Sequence, residues 1–425
     1  MIFAILTCIA VVSLGCSWFL YKRNIEMFLC LLIAVYSEFF YLLPHFFGYK
    51  YLLLPILLVL LFESFLNGRL AMGRYGWLVI WFIAISLFGV IVALFYGQSL
   101  ALSIKAAKFI PLVMVYFLLA GRKIDTDKFA LYFIYMSLAV ALLATITSFS
   151  HGAVNFFPGM PTDKLAEQTV RLRITAGQFV IAAAVVMAFS LYQQKEKSIY
   201  LIAFIALFAE VLLVQQTRGF IIAIFLSIFS IYFLSKKLTP MRISLCLIVL
   251  ACCLGLLFVL STADFSKIEF IKRIQTDMVK RGGRYGGSLQ ARLNAYEYYW
   301  KIVKKVPFTG RGLLNFNWEG NPDKHMQLNY HIHLSDVGIF HFLIEAGVIG
   351  FIWLIFCFFR VWRDIFAFRE QLAITCYFIV GTFCSLTLDM FLGYDSLFLS
   401  SVFLGVSSSS INMPVKHAAI SSNGI

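Results

Sequence analysis

Hydrophobic positions in this chain fall in long unbroken runs, with short polar clusters between them. Continuous apolar runs near 20 residues predict membrane-spanning helices, because the helix is the element that satisfies its own backbone in lipid. Such runs are expected at about 2–20, 25–43, 51–66, 77–96, 101–119, 129–149, 174–193, 199–216, 219–235, 242–261, 338–359 and 371–388, with a weaker one at 394–409. Strands are not expected, since lipid-facing strands alternate apolar and polar positions. The predicted fold is all-α, a polytopic bundle of about 12–13 transmembrane helices with one large loop containing short helices. The chain divides into helices one to ten over 1–261, the large loop over 262–337, C-terminal helices over 338–409 and a polar tail over 410–425. The first run starts without a basic segment before it, and reads as a retained helix rather than a leader.

Composition supports the bilayer as solvent. Of the 425 residues, 61% are hydrophobic and 13% charged, and the mean hydropathy is +0.88, more apolar surface than a globular core can hide. The net charge of +14 would suggest nucleic acid in a soluble chain. Here it is spent on alternate connections: Lys22/Arg23, Arg69/Arg74, Arg122/Lys123/Lys128, Lys195/Lys197, Lys236/Lys237/Arg242 and Arg360/Arg363/Arg369. That alternation sets these loops in the cytoplasm and loops 150–173 and 262–337 on the other side. No nucleic-acid partner is expected. The nine cysteines all lie in apolar runs and read as small hydrophobes, without disulfide or metal spacing.

Candidate chemistry concentrates in and beside the large loop. Ser288 to Lys305 has Leu289, Leu293, Tyr296, Trp300 and Val303 on one helical face, with lysines around it. It fits a helix at the headgroup boundary, as a lid or as a binding element. Pro307 ends it and Gly310-Arg311-Gly312 makes a turn. Arg281 to Gly287, with Arg284, reads either as a flexible loop or as a glycine-rich phosphate cradle; it lacks the nucleotide P-loop pattern. His325, His331, His333 and His341 cluster near Asp336. No metal site is expected there, for want of cysteines or an HExxH pattern. A histidine base oriented by a carboxylate is the alternative, with His333 and Asp336 as the pair and His331 as a further candidate. His341 reads as a hydrogen-bonded interior residue. Arg218 stands in the tight turn Gln215 to Gly219, and Arg171 and Arg173 precede another helix on the same side. Lys105 and Lys108 share a helix face; they either snorkel to headgroups or meet an anion. Arginines converging on one side of a membrane suit a diphosphate.

These residues resemble those of a known family. Gln216-Thr217-Arg218-Gly219 before an apolar helix is similar to the T-x-S-R-G segment of bacterial O-antigen polymerases and ligases. Arg292 through Trp300 to Pro307-Phe308-Thr309-Gly310-Arg311-Gly312 resembles the arginine, aromatic helix and P-x-x-G-x-G stretch of their large loop. His333 to Gly338, then Glu345 to Gly350, resembles the end of that loop and the E-x-G-x-x-G start of the next helix. Ligases carry His-Asn about nine residues before the Glu; here Asp336 stands there, as in polymerases.

The resemblance implies a membrane glycosyltransferase whose donor is an undecaprenyl-diphosphate-linked oligosaccharide. Arg218, Arg171, Arg173, Arg292 and Arg284 would hold the diphosphate and stabilise it as it leaves. His333 with Asp336 would take the acceptor's proton, and no cofactor is needed. The expected setting is the bacterial inner membrane with a periplasmic loop. Membrane lipids and a chain-length regulator are candidate partners. Polymerase is the first expectation, ligase the second, and a flippase of lipid-linked sugars the alternative from another class.

Overall fold

The computed structural model describes residues 12, 15–16, 18–42, 53–158, 160, 166–167, 172–235, 288–324, 334–338, 340–368, 372–385 and 394–411. The expected runs at 2–20 and 242–261 lie almost wholly or wholly outside them, as do Arg171, Arg284, His325, His331 and His333. The described chain is almost entirely helical. In order come α1 (Ile25–Tyr36), α2 (Leu53–Leu66), α3 (Gly76–Phe95), α4 (Leu100–Ala106), α5 (Ile110–Val113), α6 (Val115–Ala120) and α7 (Thr126–Phe149). Then follow α8 (Gln178–Lys195), α9 (Ser198–Glu210), α10 (Arg218–Ser235), α11 (Ser288–Lys305), α12 (Phe340–Ala367), α13 (Leu372–Cys384) and α14 (Tyr394–Ile411). Among the described residues, five helical stretches are long and apolar enough to cross a membrane: Gly76–Phe95, Leu100–Ala120, Thr126–Phe149, Ser198–Gln215 and Phe340–Ala367.

Two runs depart from the sequence expectation. The run at 101–119 is not one regular helix. It passes from α4 through a 3-10 turn at Ala107–Phe109 to α5 and α6. Pro111 lacks an N–H and crowds the residue before it, so the ladder shifts to tighter turns such as Met114 N–H to Pro111 O. No described apolar run is a strand; a two-residue antiparallel ribbon pairs β1 (Ala166–Glu167) with β2 (Leu172–Arg173) in the connection before α8. It lies in a connection, where the apolar-run argument has no reach. The run at 338–359 extends to Ala367 and is broken at Gly347, whose φ of 62° and ψ of −160° belong to glycine alone.

The core explains the packing order. Helix α8 is buried all round, Val180 to Ala188 without interruption. Its alanines let α7, α9, α10 and α13 approach closely. Ion pairs then fix which ends belong together. Lys22 pairs with Glu63, Lys128 with Glu26, Lys195 with Asp127 and Arg74 with Asp364. Each joins ends of helices that carry the basic connections. The described basic connections that these pairs join therefore sit at one end of the bundle. The tops of α3, α7 and α9 and the starts of α8, α10 and α12 lie at the other.

At that other end the large loop builds a core of its own. Ala295, Tyr299 and Val303 of α11 pack with Leu314, Leu334, Val337, Leu343 and Ile344. The helix over 288–305 forms as the periodicity predicted, but its buried face is rotated. Leu293 and Trp300, expected on that face, are about half exposed. Tyr299 decides the rotation: its hydroxyl reaches Asp323 at 3.0 Å, and Asp323 also accepts the Leu334 N–H at 2.6 Å. An aromatic with a polar tip buries where the tip finds a partner.

Candidate functional site

Two groups of residues meet the requirements of a site at the loop end of the bundle. The first surrounds Arg218. Helix α9 does not end cleanly but widens into a π-turn over Val211–Gln215, closed by the Gln216 N–H to Val211 O at 2.9 Å. Gln216 then takes a left-handed φ of 54°, and Thr217 and Arg218 start α10. Single π-turns cost hydrogen-bond geometry and recur at functional sites. The Thr217 hydroxyl donates to Gln178 Oε1 at 3.4 Å, which ties the start of α10 to the start of α8. Two helix N-termini thus open side by side, each with positive dipole character. Strand β2, which ends at Arg173, packs against the π-turn that precedes Arg218. The backbone therefore brings positions 173 and 218, about 45 residues apart in sequence, onto neighbouring elements, as a shared anion would require.

Beneath this turn sits Glu210, which the sequence reading passed over. It is buried, and one carboxylate oxygen accepts from Gln215 Nε2 at 2.8 Å. The other oxygen has no partner. Glu210 lines an open space of about 800 Å³ between α7 and α9, otherwise apolar apart from Thr145. The signal was available: an acidic residue inside a membrane-length run is costly and usually functional.

The second group is the docked loop. Residues 307–313 fill the break in α12. The Arg311 N–H donates to Ile344 O at 2.7 Å and the Gly312 N–H to Glu345 O at 2.9 Å. In return the Val348 N–H donates to Pro307 O at 2.8 Å. On its other side the turn presses on α3, where the Leu313 N–H reaches Gly89 O at 3.0 Å. A Cβ on Gly312 would lie 2.2 Å from that same carbonyl. Gln98, buried, donates to Leu313 O and accepts from the Asn315 N–H, both at 2.9 Å. Irregular backbone at membrane depth is tolerable only when paired in this way. The two glycine patterns read as family signatures are thus one backbone clasp.

Around the clasp lie polar side chains. His341 Nε2 is 3.5 Å from Glu345 Oε2, and Glu345 also accepts the Leu314 N–H at 3.4 Å. Both line a small cavity with Ser86, Phe109 and Leu313. The Arg311 guanidinium sits 5.2 Å from the Tyr96 ring, with its Nε buried and unpartnered. The sequence reading took Arg311 only as part of a turn. It also tempers Tyr298, whose phenol burial pushes up and Arg311 pulls back. Arg292 lies on α11 and Asp336 in the 3-10 turn Leu334–Val337; both elements pack on each other and on α12. Lys105 and Lys108 are exposed, on the stretch that Asn315 Nδ2 ties to the loop through Leu102 O at 3.2 Å. Among the described residues no three His, Cys, Asp or Glu gather as metal ligands would.

The family described as O-antigen ligase matches residues 201–355. That stretch contains the π-turn, Arg218, α11, the clasp and the His341–Glu345 pair. No curated protein matches the chain. Over that stretch, about a third of the chain, the sequence is similar to this family.

Proposed function

We propose that this chain is a membrane glycosyltransferase related to the O-antigen polymerases and ligases, and that it is a polymerase that joins undecaprenyl-diphosphate-linked repeat units. The observation that carries the reading is spatial. The Arg218 turn and the docked loop lie at the same end of the bundle, opposite the basic connections, and both fall in the stretch matched by the family.

In this reading the donor's diphosphate is held by Arg218, Arg173, Arg171, Arg292 and Arg284. The acceptor's sugar hydroxyl attacks the anomeric carbon of the donor glycan. The bond from that carbon to the diphosphate oxygen breaks, and undecaprenyl diphosphate leaves. Guanidiniums placed in advance stabilise the charge that grows on the leaving group. His333, oriented by Asp336, takes the hydroxyl proton. Lys105 and Lys108, at the seam between the loop and α4, would draw anionic substrate toward it. No cofactor enters the scheme. In this reading the chain sits in the bacterial inner membrane, with the basic connections in the cytoplasm and the loop in the periplasm, where a chain-length regulator is a candidate partner.

The ligase reading, with transfer of the finished glycan to a lipid or protein acceptor, draws on the description of the matching family. Asp336, at the position where ligases carry His-Asn, favours the polymerase. A flippase would not need a loop with its own packed core. Glycan size analysis in a deletion strain separates the three. A single repeat unit on the acceptor supports the polymerase. Long lipid-linked chains without transfer indicate a ligase, and precursors held inside indicate a flippase.

A further inference from the structure

The basic end of the bundle holds a cluster that the proposed chemistry does not use. Asp364 of α12 is 3% exposed, and three arginines converge on it. Arg74 Nη2 lies 2.5 Å from Asp364 Oδ1, Arg363 Nε 3.4 Å from the same oxygen and Arg360 Nε 3.7 Å from Oδ2. Among the described residues, three guanidiniums on one carboxylate leave the cluster with a net positive charge. Arg74 is fixed in place: its backbone N–H donates to Ser408 Oγ at 2.7 Å, and its guanidinium stacks 4.3 Å from the Phe368 ring. Its Nη1 is buried without a partner. A buried guanidinium N–H left unpaired is costly, and a further acceptor drawn to the cluster would offset that cost. Arg363 is half exposed, which leaves the cluster open on one side.

An apolar cleft begins directly beside it. It lies between α3, α12, α13 and α14 and holds an open space of about 670 Å³. Leu78, Val361 and Leu404 line it, one turn or less from Arg74, Arg360 and Ser408 respectively. Phe82, Leu354 and Phe358 carry the lining toward the middle of the membrane. Its polar atoms are few, from Thr382, Ser400 and Ser401 among others, so the cleft suits a hydrocarbon chain and not a headgroup. A cationic pocket at the end of an apolar interhelical cleft is the form that recognises an anionic lipid.

We propose that this site binds one anionic glycerophospholipid from the leaflet facing the basic connections. Its phosphate lies against Arg74, Arg360 and Arg363, and one acyl chain fills the cleft between α3, α12 and α14. The planar guanidiniums match phosphate oxygens in a way lysines at these positions would not. The site is independent of the glycan chemistry at the opposite end. It acts as a lipid clamp across the ends of three helices that are far apart in sequence.

Native mass spectrometry of the detergent-solubilised full chain tests this, with phosphatidylglycerol and phosphatidylcholine added in turn. The expected result is one retained phosphatidylglycerol and no retained phosphatidylcholine. Arg360→Ala with Arg363→Ala should weaken retention about 25-fold, near fivefold for each arginine. Should that pair fail to fold, Arg363→Gln alone, at a half-exposed position, should still give about the single-site loss. Val361→Trp, which fills the cleft and leaves every charge in place, should also release the lipid. Equal retention of both lipids, or undiminished phosphatidylglycerol retention in Arg363→Gln, overturns the proposal. Inorganic phosphate displacing the lipid as well as an excess of phosphatidylglycerol does overturns the acyl-chain site, leaving only a surface anion.

Discussion

Replacing Gly347 by alanine tests whether the loop is held by the backbone clasp. The residue's φ of 62° and ψ of −160° cost an L-residue about 1–3 kcal/mol by themselves. A Cβ there would also lie 2.4 Å from Phe308 O and 2.6 Å from Gly310 N, both backbone atoms that cannot swing aside. The turn over 307–312 must therefore back away. With it go the bonds from Arg311 to Ile344, Gly312 to Glu345 and Val348 to Pro307, about 1 kcal/mol net each. Together the loop's docking weakens by about 4–6 kcal/mol, roughly a thousandfold or more in its equilibrium. Hydrogen exchange on the purified chain reads this directly. The amides of Arg311, Gly312 and Val348 should lose protection, while α8 at the centre of the bundle keeps its own. Gly68→Ala is the control, since Gly68 also has positive φ but has nothing within 4 Å of its missing Cβ. It should cost about 1–2 kcal/mol of local strain and leave the clasp protected. Unchanged protection of Arg311 and Val348 in Gly347→Ala would refute the clasp as the element that holds the loop.

Other expectations are more local. Arg218→Ala should abolish polymer with normal protein abundance in the membrane, and Arg218→Lys should be poor because a planar fork becomes a point charge; glycan gels beside immunoblots decide. His333→Ala should slow the chemical step by ~10²–10⁴-fold while donor binding persists, Asp336→Asn should cost less, and His331→Ala should be close to normal, all in vitro with purified lipid-linked substrate. Glu210→Leu should reduce polymer by freeing Gln215 and loosening the π-turn before Arg218, whereas Glu210→Gln can still meet the Gln215 amide and should restore much of it; equal activity of the two variants would separate Glu210 from the turn. Cysteine at Asn317, an exposed loop position, should react with an impermeant thiol reagent in intact spheroplasts. Reaction only after lysis would reverse the topology.

The helices were legible because lipid demands uninterrupted apolar runs, and runs such as 77–96 and 129–149 return as α3 and α7 within a few residues. What pattern could not supply was the backbone's response to single residues. Pro111 splits one run, Gly347 breaks another, and the π-turn at Val211–Gln215 leaves no mark in hydropathy. The loop helix was legible and its buried face was not, because Tyr299 is held by Asp323, a partner far along the chain that periodicity cannot see. The glycine patterns around 310 and 347 were noticed for their resemblance. Their physical meaning needed the two segments laid against each other. Glu210 carries no pattern in the sequence and Arg311 reads there only as part of a turn, for a shared reason: only its surroundings make each of them costly.

The clasp also has a consequence in time. The small shelf on α3 at Gly89 and Ala93 is made early, and the turn that covers it, at Gly312 and Leu313, is synthesised more than two hundred residues later. At about 5–20 residues per second, the shelf waits roughly 10–45 s before its partner exists. The closing half of the clasp, at Val348, comes later still. Through that interval α3 presents a glycine notch to whatever lipid or helix stands beside it. The order of synthesis thus makes loop docking the late step of assembly, and the one at which a slow or crowded insertion would leave a chain fully threaded yet unable to work.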